Sequence, residues 1–128
     1  MDRLLRLRTF AFGLFSLALG TASAHASDAG HGKDLFTARC SICHTANQGG
    51  PNKLGPNLFG VVGRHSGSLA NFNYSSAMRG ANLTWSPDIL SIYLAGPQKL
   101  IPGVRMTFTG FANTTDAQDV IAFLEQQK

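Results

Sequence analysis

No run of five lysines or arginines occurs anywhere in the chain, and basic residues are not interleaved with aromatics. A polynucleotide would find neither a dense cationic track nor a stacking platform, so nucleic-acid binding is not expected. Alternation of apolar and polar residues with a period of two is missing as well, which argues against a sheet. There is no internal repeat and no low-complexity tract. No apolar run reaches the ~20 residues that a membrane-spanning helix needs. Tryptophan occurs once and cysteine twice.

The longest apolar run lies at the start. MDRLLRLR, with three arginines, leads into the eleven residues TFAFGLFSLAL and then into GTASAHA, where Ala24 and Ala26 flank His25. A charged segment, a short apolar segment and an A-x-A site describe an export signal cleaved after Ala26. An uncleaved anchor would need a longer run. A mitochondrial targeting sequence would carry an arginine stripe past Arg8 and would avoid Asp2. The expected division is therefore residues 1–26 as a signal peptide and 27–128 as a single mature domain, in the periplasm. The leader holds three of the eleven basic and one of the seven acidic residues, leaving the mature chain at +2. That mild basicity suits an acidic protein partner better than a polyanion.

A mature chain of this size buries only about 60–70% of its unfolded surface and is marginally stable. Its periodic segments predict helices at both ends and one between. Asp28 can cap a helix through AGHGKDLFTARC, with Leu35, Phe36 and Cys40 on one face. Near the C-terminus, Thr115 and Gln118 fit a capping box, and Asp116 and Asp119 suit the positive end of the helix dipole. There Ala117, Val120, Ile121 and Leu124 form one apolar stripe. Between them, Ser86 and Pro87 open a helix that Gly96-Pro97 closes, with Ile89, Leu90, Tyr93 and Leu94 facing inward. SSAMRG reads as a further helical turn. From His44 to Ser75 the chain reads as loop. Some thirty irregular residues are unusual in a compact domain, unless they wrap something that is not polypeptide. The expected class is all-α.

The only cysteines stand in CSICH, Cys40 to His44. A structural zinc site wants about four ligands, and His31 and His65 do not supply an H-x₃₋₅-H pair. A thioredoxin-type dithiol would follow a strand, whereas this one follows a helix. A simple disulfide in an exported protein leaves His44 without a role. Covalent c-type haem attachment uses all three residues. Each thiol adds across one vinyl group of the porphyrin, and the neighbouring imidazole binds iron. One haem c would also complete the small core and give the long loop something to enclose. The second axial ligand has four candidates: His31, His65, Met78 and Met106. Met106 lies in LIPGVRMTFTG, a loop fixed by Pro102 and Gly103 and far along the chain from His44. Its plain alternative is a gap-filling core thioether.

From about Gly30 onward the chain resembles the class I cytochromes c. The likeness rests on CSICH, GPNLFGVVGR from Gly55 to Arg64, FNYS from Phe72 to Ser75, Trp85, Tyr93, PGVRM ending at Met106, and Phe108. It implies packed helices around one haem, with His44 and Met106 as the axial ligands. It implies that the Pro56 carbonyl orients His44, and that the Tyr93 hydroxyl lies near the Met106 sulfur. Tyr74 and Trp85 would hydrogen-bond the haem propionates, Arg64 would offset their charge, and Phe108 would cover the haem near its exposed edge. Gly32, Phe36 and Leu124 would allow the terminal helices to cross closely. The chain departs from the family at Val104, where threonine is common, and at Met78, where asparagine is common. Lysines usual around the haem edge are replaced by Gln98, Ala112 and Asn113, leaving a smaller basic rim of Arg39, Lys53, Lys99 and Arg105.

With two protein ligands, iron keeps no open position, and a one-electron change between Fe(II) and Fe(III) remains. A thioether ligand favours Fe(II) and raises the potential. The expected function is a soluble, monomeric, periplasmic electron carrier, not an enzyme, serving respiratory or photosynthetic redox partners that dock at the basic rim and meeting membranes only through them. Two alternatives remain: a dedicated haem subunit of a dehydrogenase or oxidase complex, and a haem enzyme or gas binder with a labile Met106.

Overall fold

The structure is a computed structural model and describes residues 25–128. All but the last two positions of the expected leader lie outside the described residues. Five helices follow in order: α1 (Ala29–Arg39), α2 (Ser76–Gly80), α3 (Pro87–Ala95), α4 (Pro97–Leu100) and α5 (Thr114–Glu125). Among the described residues there is no strand, only an isolated antiparallel bridge between His65 and Thr84. No described helix is long and apolar enough to cross a membrane.

Local chemistry sets the helix ends. The Asp28 carboxylate accepts from the amides of Gly30 and His31 and starts α1. Ser75 and Ser86 cap α2 and α3 by accepting from the amides of Met78 and Ile89. Pro87 stands in the first turn of α3, where a missing N–H costs nothing. Two details differ from the sequence reading. The cap of α5 is Asn113, whose side chain accepts from the Thr115 amide, so the Thr115–Gln118 box is not the start. Pro97, expected only as a stop, is also the first residue of α4, because the ring and missing N–H that block continuation of one helix cost nothing at the first turn of the next, which the fixed φ suits.

α1 packs across α5, and α3 packs on α5 and α4. The crossing of α1 and α5 depends on Gly32, where a Cβ would lie 1.8 Å from the Asp119 carbonyl oxygen. Phe36 lies against Phe123 at the same interface, with centroids 5.3 Å apart. The predicted stripe of Ala117, Val120, Ile121 and Leu124 is buried in full. Asp119 is also buried rather than displayed at the helix end. It accepts from the Asp28 amide at 2.7 Å and pairs with His31 Nδ1 at 2.8 Å, tying the start of α1 to α5.

The long loop is held not by regular structure but by side-chain bonds together with single backbone bonds, some within short turns and some to distant segments, such as that from the Gly60 amide to the Gln127 carbonyl. Asn57 donates to Thr45 Oγ1 at 2.6 Å and to the Asn47 carbonyl at 3.0 Å. Thr45 in turn donates to the Pro51 carbonyl. The loop then returns beside Trp85, whose amide donates to the Arg64 carbonyl and whose carbonyl accepts from the Gly63 amide.

Candidate cofactor site

CSICH forms one tight turn directly after α1. The Cys40 carbonyl accepts from the amides of both Cys43 and His44, at 3.0 and 2.9 Å. Positions i, i+3 and i+4 of a helical turn are neighbours on one face, so the turn gathers two thiols and an imidazole. Both cysteines are free and half-buried. Cys40 packs against the core, and burial pushes its thiol up to about 11. Among the described residues no three His, Cys, Asp or Glu side chains form a metal cage.

The tautomer of His44 follows from its partner. Nδ1 lies 2.8 Å from the Pro56 carbonyl oxygen. A carbonyl only accepts, so Nδ1 carries the proton and Nε2 of the neutral ring keeps its lone pair free. Burial lowers the pKa of the ring, the bond to Pro56 opposes this, and the Lys53 charge adds to the lowering. Neutral imidazole is thereby favoured. Gly55 completes the cradle, since a Cβ there would lie 2.2 Å from His44 Cε1. Nothing in the sequence alone gives this glycine a role. The motif GP after a loop shows a turn, whereas contact with the imidazole needs the fold.

Met106 is half-buried against the core. Its sulfur accepts from the Tyr93 hydroxyl at 3.3 Å, and burial raises the Tyr93 pKa, keeping it a donor. Trp85 and Tyr93 stack at a tilt, with centroids 4.8 Å apart. Tyr74 is buried and meets Phe72 edge-on at 4.8 Å. Arg64 donates to the carbonyls of Asn57 and Phe59. Phe108 packs edge-on against Phe111, and the Arg39 guanidinium lies over both rings, at 5.4 and 5.3 Å. The other histidines and Met78 are placed differently: His31 is engaged by Asp119, His65 is exposed at the bridge, and Met78 is buried in the core.

Two of the four rim cations are tethered by hydrogen bonds. Lys53 Nζ donates to the Ser41 carbonyl at 2.6 Å, and Arg105 donates to the Asn73 carbonyl at 2.7 Å. Lys99 lines a recess with Ile92 and Phe111.

The cytochrome c family model matches residues 29–128. The chain belongs to the cytochrome c family. It is 39% identical over 120 residues to cytochrome c2 of Blastochloris viridis, covering 94% of each chain. It is 45% identical over 98 residues to cytochrome c of Stellaria longipes, covering 77% of this chain and 91% of that one. To cytochrome c2 of Rhodopila globiformis it is 44% identical over 106 residues, covering 83% and 99%. Cytochromes c carry one haem c bound covalently through cysteine, and Cys40 and Cys43 are the pair available here. The protein is an electron-transfer protein that works with redox partners, not an enzyme. The donor set fits that group: two unpaired thiols on one turn, an imidazole with Nε2 free, and a thioether fixed by a hydroxyl.

Proposed function

We propose that this cytochrome c is a soluble, monomeric one-electron carrier of the periplasm, exported by residues 1–26, with His44 and Met106 as its axial ligands. The observation that carries the ligand assignment is a pair of bonds. His44 is oriented through Nδ1 by Pro56 and Met106 is oriented by Tyr93, so each candidate donor atom is held with a lone pair to spare. When bound, haem iron supplies the Fe(II)/Fe(III) couple. The chain sets its character: a thioether favours the reduced state, and an apolar shell disfavours extra net charge. Tyr74 and Trp85 would hold the propionates, with Arg64 offsetting their charge and Phe108 screening the edge. Respiratory or photosynthetic partners would dock beside Arg39, Lys53, Lys99 and Arg105, and weak, salt-sensitive complexes would follow.

Carbon monoxide tests the assignment. The reduced wild-type protein should resist it at neutral pH, and Met106→Ala should bind it readily and show a lower reduction potential. Rapid binding by the wild type would instead support a gas binder or haem enzyme. Copurification with one complex at moderate salt would make the protein a dedicated subunit.

A further inference from the structure

The segment that carries Met106 has little backbone support. Val104 N donates to the Ile101 carbonyl, but from Arg105 to Gly110 no backbone–backbone hydrogen bond holds the chain among the described residues. What holds it is side chains. Tyr93 reaches the Met106 sulfur, Arg105 reaches the Asn73 carbonyl, and Gln98 reaches the backbone itself.

Gln98 stands in the short helix α4, on the exposed side. Its Nε2 donates to the Val104 carbonyl at 2.5 Å and to the Met106 carbonyl at 3.2 Å, and its Oε1 accepts from the Gly103 amide at 3.3 Å. The amide orientation is fixed by these partners, since two carbonyls require the NH₂ and an N–H requires the oxygen. Three of the four bonds a carboxamide can make are thus spent on residues 103–106. A lysine could donate to both carbonyls but could not accept from Gly103. A glutamate could accept from Gly103 but could not donate to Val104 or Met106. Only a carboxamide of this length closes all three.

We propose that Gln98 is a positioning residue for Met106, a clip that holds the ligand-bearing loop closed so that Met106 stays on iron. The proposal rests on Met106 being the axial ligand. Tyr93 fixes the sulfur and Gln98 fixes the backbone that delivers it. Because Gln98 is exposed, its loss removes hydrogen bonds without opening a cavity in the core.

The test compares Gln98→Met, Gln98→Glu and Met106→Ala with wild type, all as the haem-loaded protein. Imidazole is the probe for release of the sixth ligand in the ferric state, and hydrogen exchange at the Gly103 amide reports the clip. Losing the two donated bonds should raise imidazole affinity about tenfold in both Gln98 variants. Gly103 exchange should speed up in Gln98→Met and stay protected in Gln98→Glu. Met106→Ala should bind imidazole more tightly still. If Met106→Ala binds imidazole tightly while both Gln98 variants match wild type, the clip is overturned and the ligand assignment stands. If Met106→Ala also matches wild type, the ligand assignment falls and the clip with it. A loss of thermal stability in the Gln98 variants without a change in imidazole affinity would make Gln98 merely structural and would equally overturn the proposal.

Discussion

Gly55 shows how much one missing side chain decides. The His44 imidazole lies where a Cβ at position 55 would stand, 2.2 Å from Cε1, and the same ring is held through Nδ1 by the Pro56 carbonyl. Gly55→Ala cannot be absorbed by a flexible tip, because the obstructing group is an aromatic ring fixed by a hydrogen bond. It should cost about 1–3 kcal/mol in stability by overpacking. It should also tilt the imidazole, which would show as an altered Soret spectrum and a shifted reduction potential. Gly80 is the matching control. A Cβ there meets nothing within 4 Å and its φ is not positive, so Gly80→Ala should be neutral or stabilise by up to about 1 kcal/mol through the unfolded chain. Equal losses for both alanines in chemical denaturation would show that the cradle around His44 plays no special part.

Between elements, the crossing of α1 and α5 combines a steric and a polar constraint. Gly32→Ala would press a methyl into the Asp119 carbonyl, 1.8 Å away and part of a helix backbone. The helices must separate, and a loss on the order of 3 kcal/mol is expected in denaturant titration. The polar constraint is Asp119 between the Asp28 amide and His31. The hydrogen bond to Asp119 raises the His31 pKa, and burial opposes it more weakly, with the charges of Asp119, Asp116 and Asp28 adding to the rise. The bond from His31, then that from the Asp28 amide, lowers the Asp119 pKa. A raised imidazole pKa contributes stability that is complete below the unfolded value of about 6.5 and is lost as pH rises through the folded value. A lowered carboxyl pKa contributes stability that is complete above about 3.9 and is lost as pH falls through the folded value. The clamp is therefore strongest between about pH 4 and pH 6.5. His31→Ala should lower the thermal midpoint most in that window and least in mild alkali; a deficit independent of pH would mean the pair is not ionic. This level of organisation was the least legible in the sequence. Helix starts at Asp28 and Ser86 are visible because a cap acts over two or three residues. In the sequence Asp119 reads as a partner of its own helix dipole, because its real partners are about ninety positions away. Asn113 and Thr115 are both capping types, and which one starts α5 is settled by where the chain arrives. CSICH declares itself through spacing alone, whereas Gly55 and Gln98 act through contacts that only folding creates.

At the scale of the molecule, the helices and the loops are held by different means. α1, α3, α4 and α5 form one connected set of helix contacts, but α2 packs on no other helix among the described residues. The long loop is knit by side-chain bonds, short turns and isolated backbone bonds to distant segments, and the Met106 segment by side chains. Their apolar residues, Val61, Tyr74, Met78 and Val104 among them, nevertheless belong to the single core. A chain this small gains much of its stability from whatever completes that core, and for this family that body is haem attached at Cys40 and Cys43. Replacing both cysteines with alanine removes the covalent link, and extraction then removes haem. The helix pair α1–α5 should outlast the rest, because Gly32, Phe36 and the Asp119 clamp hold it without haem. Hydrogen exchange should accordingly find the slowest amides in α1 and α5, with protection lost first from residues 44–75, α2 and the 102–110 loop. If α1 and α5 lost protection together with the loops, the terminal helices would depend on haem as fully as the segments that surround it, and the division between scaffold and wrapping would be wrong.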